Sequence, residues 1–526
     1  MDKEYEPLGQ IANPRPHPGY PWWTAPGTMP HAMSITRFQS RSGDASGPES
    51  DGARGKVHIV TFGCQMNKYD SLLVEGRFKK SGFDTTDQLA DADVVLFNTC
   101  SVRDHAEERT WSWVGELKHA KQARPDLVIG IMGCMAQRVE QEVFKRAGHV
   151  DIVAGTRQFH QLPSMVEEVR TRRADPGRQR AKDMRLLATD MAEDVVVDRA
   201  GEEYTGGRHG YLAVMRGCDL KCTYCIVPTT RGRVRSRPID DLVGEARWMV
   251  DQGAQIITLL GQTVNSYGED FAAPTQGERV AGRGRQGRPS LADLLYRMQE
   301  IEGLERIRLV TLHPSYVTPA FAQAIRDCDK VDRFLPLPVQ SGSDPVLKRM
   351  KRGYNLDLYR KRVEILRETV PGIELGTDWI VGFCGETDAD FDASMSLLEE
   401  MEFAVNYIFK YDPRPGTSAQ DRLTDDVRAE VKKERNQRLL ECAERVQRRR
   451  FESYRGQAVR AMIESVSERD TRMLLGRTIE GLPISFAGDA GLVGQMVDLR
   501  VAESTAYGMS GQLDPADPVA PAGQAR

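Results

Sequence analysis

The sequence predicts an α/β protein in three parts: an N-terminal parallel α/β domain, an incomplete (βα)6 barrel of the TIM type, and a small C-terminal β-barrel of OB-like size. Three observations carry that prediction. Short apolar runs ending in a cysteine recur at intervals of 36 and 34 residues, from Cys64 to Cys100 to Cys134, each followed by a helical stretch. Six further apolar runs then alternate with helical segments. Near the C-terminus the pattern changes to short alternating strands separated by glycines.

Residues 1–54 are rich in Pro, Gly and Ser and lack hydrophobic periodicity, so a disordered extension is expected, with Tyr20, Trp22 and Trp23 as candidate local contacts. Residues 55–170 hold the first strands, "KVHIVTFGC", "DVVLFNTC" and "DLVIGIMGC", with "HVDIVAGT" as a fourth. Helical stretches such as "DSLLVEGRFKKSG" and "MAQRVEQEVFKRAG" lie between them. In a parallel sheet the three cysteines would meet at the carboxyl edge of neighbouring strands, where open α/β sheets bind ligands.

Residues 171–205 ("RTRRADPGRQRAK" and onward) read as a charged linker. Residues 206–452 carry the six strands "YLAVMRG", "IITLLGQ", "RIRLVTL", "FLPLPVQSG", "GTDWIVGF" and "VNYIFKY". Helices are expected at Asp240–Gln252, Leu291–Ile301 and Asn355–Thr369, and a Gly/Arg-rich insertion over 271–289 as a mobile loop. A long charged helix is expected over Asp425–Tyr454, the small barrel over 453–512, and a Pro/Ala-rich tail over 513–526.

With 526 residues, two to four domains are the natural expectation. A hydrophobic fraction of 40% with 28% charged residues is that of an ordinary soluble protein. No run of eighteen apolar residues occurs, which excludes a spanning helix, and the polar start "MDKEYEPLGQ" does not read as a secretory signal. Nine cysteines, unevenly spread, point to a reducing cytoplasm and to metal or redox chemistry. The net charge of −4 gives no global nucleic-acid signature, so RNA contacts must come from local patches.

The densest chemistry lies in "RGCDLKCTYCIVPTTRG", where Cys218, Cys222 and Cys225 form a C-x3-C-x2-C directly after the first barrel strand. Three thiolates at this spacing can each bind one iron of a four-iron cluster and leave the fourth iron open. An open metal position marks a catalytic site. The alternative is a structural zinc completed by His209 or a distant cysteine.

This motif, with Tyr224 as the aromatic before the third cysteine, resembles the radical S-adenosylmethionine superfamily. The resemblance implies that the open iron chelates S-adenosylmethionine and that one electron cleaves it to methionine and a 5′-deoxyadenosyl radical. "GTDWIVGFCGET" resembles the strand along the adenine and "LPVQSGSD" a strand-end loop near the cofactor. Tyr224, Gln340, Ser341, Val381 and Gly382 are therefore the implied S-adenosylmethionine contacts. Cys384 stands where the family usually has proline and is not assigned as a ligand.

Cys64, Cys100 and Cys134 occupy the same strand-end position in small or polar contexts, "FGCQMN", "FNTCSV" and "MGCMAQ". That favours a second three-ligand [4Fe-4S] cluster over buried core thiols. Two open-iron clusters in one chain resemble the methylthiotransferase family, over nearly the whole sequence after residue 55. The resemblance implies a cluster domain, a radical core and a C-terminal barrel of the TRAM type. It also implies one S-adenosylmethionine as methyl donor to a sulfur on the N-terminal cluster and a second as radical source.

Three subgroups of that family act on an isopentenyl-type adenosine of tRNA, on a threonylcarbamoyl-adenosine of tRNA, or on an aspartate of a ribosomal protein. "FGCQMNKYDS", "PTTRGRVRSRP" and "GQTVNSYG" look most like the first, with Thr263 in place of an expected asparagine. The implied reaction is methylthiolation at C2 of N6-isopentenyl-adenosine at position 37 of the anticodon loop, and the other two substrates are the alternatives. A non-catalytic iron–sulfur module that binds RNA is the rival from another class.

The implied partners are tRNA, a one-electron donor of the flavodoxin or ferredoxin type and a supplier of sulfur or cluster, with a monomer as the default. Arg231, Arg233, Arg235 and Arg237 alternate just after the cluster loop, and an extended strand would put all four on one side for phosphates. Arg448–Arg450 read equally as a contact or a solvated face, and Arg455–Arg500 balances six arginines against six acids. His313 is as easily a packing residue as a substrate contact, and "GRGRQG" lacks the strand-to-helix context of a nucleotide loop.

Overall fold

A computed structural model describes residues 54–101, 104–175, 181–191, 207–273 and 282–514. The expected N-terminal extension up to residue 53, residues 274–281 of the expected insertion loop and the tail from residue 515 lie outside the described residues.

Six parallel strands form the N-terminal sheet: β1 (Lys56–Phe62), β2 (Asp84–Thr85), β3 (Val94–Thr99), β4 (Val128–Met132), β5 (Ile152–Ala154) and β6 (Leu186–Ala188). Their order is β2-β1-β3-β4-β5-β6. Every position of β3 and β4 is buried, so "VVLFNT" and "VIGIM" are strands with both faces covered, apolar but for Asn98 and Thr99 at the end of β3. The covering helices are α1 (Gln65–Lys80), α2 (Asp104–Ala123), α3 (Cys134–Val139), α4 (Glu142–Arg146) and α5 (Leu162–Ala174).

Alternate strand residues enter two apolar layers. Val95, Phe97, Ile129 and Ile131 pack with Val114 and Leu117 of α2, while Val94, Leu96 and Val128 pack with Val74 and Phe78 of α1 and Val166 and Val169 of α5. Each fully buried Phe, Leu or Val contributes about 1.5–3 kcal/mol.

Two of these strands depart from the expectation. β2 has two residues and β6 three, too short to show a hydrophobic period. The linker expected over 171–205 is therefore corrected in its first part: α5 continues to Ala174, and Leu186–Ala188 adds to the sheet beside β5. Tertiary pairing at an edge supplies what local pattern lacks.

In the barrel part, all six expected strands are present: β7 (His209–Ala213), then, after the antiparallel pair β8 (Met215–Arg216) and β9 (Arg235–Ser236), β10 (Ile256–Leu260), β11 (Arg306–Leu309), β12 (Phe334–Pro336), β13 (Glu374–Val381) and β14 (Val405–Lys410). They pair in parallel as β11-β10-β7 and β12-β13-β14. A parallel bridge from Ile307 to Val331 lies between the triplets. Among the described residues β7 and β14 do not pair with one another, so the barrel stays open.

The expected helices appear as Ile239–Asp251, Leu291–Gln299 and Leu356–Thr369. Their starts follow from capping chemistry: Ser290 and Asp293 form a capping box, and the Asn355 side chain accepts from Leu358 N. The long charged helix runs over Ala429–Glu452.

The C-terminal strands β15 (Ala458–Val466), β16 (Met473–Thr478), β17 (Pro483–Ala487), β18 (Met496–Ser504) and β19 (Met509–Leu513) close in the order β15-β16-β17-β19-β18. β17 and β19 pair in parallel, which shuts the five-stranded barrel. Val459, Ala461, Leu474, Ile484, Phe486, Val497, Leu499 and Val501 are buried in alternation, as a small barrel filled by side chains requires.

Candidate site with two cysteine triads

Cys64 follows β1, Cys100 follows β3, and Cys134 opens α3 just past β4. Since β1, β3 and β4 are adjacent and parallel, the three thiols share one carboxyl edge. The strand ends crowd each other. A Cβ on Gly63 would lie 2.7 Å from the Cys100 Cβ, and one on Gly133 (φ +93°) would lie 2.4 Å from Asn98 Oδ1. Only glycine fits at Gly133, on both counts.

Buried amides bind the edge together. Asn67 Nδ2 donates to Asn98 Oδ1 (2.9 Å), and Asn98 Nδ2 donates to Asn67 O (2.8 Å) and Ser71 Oγ (2.9 Å). Asn67 Oδ1 also accepts from the Cys64 thiol at 3.2 Å. On the other flank Arg138 donates to Ser101 Oγ (2.7 Å) and Glu107 Oε2 (2.6 Å), tying the residue after Cys100 to α3. Cys100 and Cys134 are buried and Cys64 is exposed. Burial pushes the Cys134 thiol up, whereas the hydrogen bond with Cys100, helped by the Arg231 charge, holds Cys64 down at about 6.

The second triad is held by a closed loop. β8 and β9 zip its neck, and Gly217 (φ +78°) passes so close that a Cβ would sit 2.0 Å from Arg233 O. Cys218 N donates to Gly232 O (3.1 Å). Thr223 anchors the far side: its N and Oγ1 donate to Met350 O and Arg349 O (each 2.9 Å), and its O accepts from Ala419 N (2.7 Å). Cys218 and Cys222 are buried and Cys225 is half-buried, with burial pushing the Cys225 thiol up to about 12. Thr263, the departure from asparagine, places its Oγ1 3.5 Å from Cys218 Sγ.

The residues singled out as S-adenosylmethionine contacts lie at neighbouring strand ends. Val381 ends β13, Gly382 follows it with φ +72°, and Gly382 N donates to the buried Glu386 carboxylate at 2.7 Å. Gln340 follows β12 with φ +72° and is bridged in parallel to Trp379, while Ser341 Oγ accepts from Ser343 N. Tyr224 sets its ring against Phe383, centroids 6.5 Å apart, which joins the cysteine loop to the end of β13. Cys384 packs in the same apolar cluster, beside Tyr411.

The arginine row is corrected. Residues 231–237 are not one extended strand: Arg231 ends the short helix α6 (Val227–Arg231), and β9 covers only Arg235 and Ser236. Arg231 is buried, its Nη2 2.7 Å from Asp70 Oδ2 and its Nε 3.2 Å from Cys134 Sγ. Arg237 pairs with buried Glu245 at 2.6 Å. Arg233 and Arg235 remain exposed. Carboxylates distant in sequence decide which arginines turn inward, and period alone cannot show them.

One other side chain escaped the sequence reading. Arg352 is buried and donates through Nη1 to Cys222 Sγ (3.4 Å), through Nη2 to Pro338 O (3.3 Å) and through Nε to Tyr354 OH (3.2 Å). His313 is buried as well. Its Nδ1 accepts from Ser315 N, its ring faces Tyr354, and burial with the nearby Arg352 charge holds it down at about 3.

Known proteins place this arrangement. Residues 56–155 match the Uncharacterized protein family UPF0004, and residues 212–398 match the Radical SAM superfamily. A tRNA-2-methylthio-N(6)-dimethylallyladenosine synthase of Rhodopirellula baltica is 39% identical over 474 residues, covering 87% of this chain and 95% of the relative. Its namesake in Thermoanaerobacter pseudethanolicus is 37% identical over 469 residues, covering 88% and 94%.

The chain belongs to the tRNA-2-methylthio-N(6)-dimethylallyladenosine synthase family. Each half of the two-triad unit thus falls within one matched segment, Cys64, Cys100 and Cys134 in the first and Cys218, Cys222 and Cys225 in the second. Membership of the Radical SAM superfamily implies one [4Fe-4S] cluster with S-adenosylmethionine. No helix among the described residues of this synthase-family chain is long and apolar enough to cross a membrane.

Proposed function

We propose that the chain methylthiolates C2 of N6-isopentenyl-adenosine at position 37 of the tRNA anticodon loop. The observation that carries this is the joining of two cysteine triads, each at a strand-end edge, through α6, whose Arg231 reaches from the barrel loop to Cys134. The activity for which the relatives are named fits that arrangement.

In this reading Cys218, Cys222 and Cys225 hold the cluster that binds S-adenosylmethionine, and Cys64, Cys100 and Cys134 hold a second [4Fe-4S] cluster. The donor sets support it. Each triad gathers three thiols at one strand-end edge or in one loop, and three thiolates can each take a different iron of a four-iron cube. When bound, the groups supply radical generation and a methylatable sulfur.

The chain's own residues do the positioning. Tyr224, Gln340, Ser341, Val381 and Gly382 line the S-adenosylmethionine side. Gln340 N donates to Asp378 O and Gln340 O accepts from Ile380 N, so that loop is fixed onto β13 before any ligand arrives. The exposed Arg233 and Arg235 are the remaining candidates of the row for tRNA phosphates. The target base must leave its stack to reach the strand ends. The C-terminal barrel is taken as a TRAM module that contributes to RNA binding. A one-electron donor of the flavodoxin or ferredoxin type and a sulfur or cluster supplier complete the reaction.

The test uses anaerobically reconstituted full chain and a Cys64/Cys100/Cys134→Ala variant, each given S-adenosylmethionine, reductant and isopentenyl-adenosine tRNA. The variant should keep about half the iron and still release 5′-deoxyadenosine, but form no methylthio-nucleoside. An unchanged iron content in the variant would return those thiols to the core and remove the methylthiotransferase reading.

A further inference from the structure

Each triad has one buried guanidinium donating to one of its sulfurs: Arg231 to Cys134 and Arg352 to Cys222. The first is the more telling, because it crosses from the barrel loop to the other triad. The Arg231 side chain is 5% exposed and that of Asp70 1%. A buried pair of this kind is usually bidentate, with two parallel N–H donors on the two carboxylate oxygens. Here the fork is split. Nη2 goes to Asp70 Oδ2 and Nε to Cys134 Sγ, while buried Asp70 Oδ1 has no hydrogen-bond partner among the described residues. An unmade bond to a buried oxygen is costly. With the fork split in this way, one guanidinium bonds the carboxylate and the sulfur together.

We propose that Arg231 is a positioning residue for the N-terminal centre: its Nε–H holds the Cys134 sulfur and raises the reduction potential of the cluster bound there. This rests on the reading that Cys64, Cys100 and Cys134 hold a cluster. A donor on a ligand sulfur draws charge off the centre and stabilises its more negative, reduced form. Asp70 neutralises the guanidinium, so the hydrogen bond, not net charge, dominates in the native pair. The two partners are therefore opposed. Removing the donor lowers the potential, and removing the Asp70 charge raises it.

The experiment uses the full chain in a Cys218/Cys222/Cys225→Ala background, so that only the N-terminal cluster reports in a redox titration followed by electron paramagnetic resonance. In Arg231→Met the reduced-to-oxidised ratio at the parent midpoint should fall about tenfold, or about 59 mV for one electron, with iron content retained. Asp70→Asn should move the midpoint the opposite way. Because Arg231→Met leaves a buried carboxylate unpaired, the double variant Arg231→Gln/Asp70→Asn serves where the single one does not fold, and it too should titrate below the parent. If iron is bound and no variant moves the midpoint, Arg231 is structural and the proposal is overturned. If the background chain itself holds no iron, the cluster reading fails first, a result plainly different from an unmoved potential.

Discussion

Cys218, Cys222 and Cys225 lie within eight positions of one loop, whereas Cys64, Cys100 and Cys134 come from the ends of three neighbouring strands. The loop triad depends on a hairpin neck and a few pins at Thr223. The strand triad depends on the register of a whole parallel sheet, since one residue of slip turns a strand-end side chain to the other face. Two routes to three thiols thus carry different vulnerabilities. One is local and the other is distributed over about 70 residues of folded chain.

The largest effect is expected where the two regions meet. Asp70→Asn leaves the buried Arg231 guanidinium without its counter-charge and should cost about 3–5 kcal/mol, read as a lower urea midpoint. A loss under about 1 kcal/mol would mean that the link is solvated in solution.

Paired glycine variants separate the routes. Gly133→Ala strains a positive-φ position and strikes Asn98, so the strand triad should lose iron while the loop triad keeps its own. Gly217→Ala strikes Arg233 O and should do the reverse. Each is expected to cost about 1–3 kcal/mol. Iron lost equally from both sites in both variants would show the two regions to be one cooperative unit.

Acid should act on the barrel side. His313 is held near 3 in the folded chain against about 6.5 unfolded, so between these values only the unfolded chain takes up the proton. Stability should therefore fall as pH drops, by about 1.6 kcal/mol between pH 6.5 and 5, and His313→Gln should flatten that slope in urea titrations.

The smallest effect belongs to Thr263. Its hydroxyl lies 3.5 Å from Cys218 Sγ and 2.8 Å from Gln262 O, so Thr263→Val should cost only about 0.5–1.5 kcal/mol in melting experiments and leave the iron count of the loop triad unchanged.

By itself the sequence determined the six cysteines as two sets, the six barrel strands and the five-stranded barrel, because long apolar periods and a rare local spacing survive without knowledge of partners. Gly133 and Gly217 stand beside Cys134 and Cys218 in that sequence, but nothing in the pattern shows why only glycine fits there. Tertiary structure alone decided the rest. β2 and β6 are too short to signal themselves and exist because an edge was available to pair with. Arg231 reads as one of a row of phosphate-facing charges, and nothing in the pattern singles out Arg352. They are buried because Asp70, 161 positions from Arg231, and Tyr354 with Cys222 and Pro338 around Arg352, provide the partners that make burial of a guanidinium tolerable. The energy of a buried charge is set by what surrounds it in space, and folding brings those groups together from distant parts of the chain.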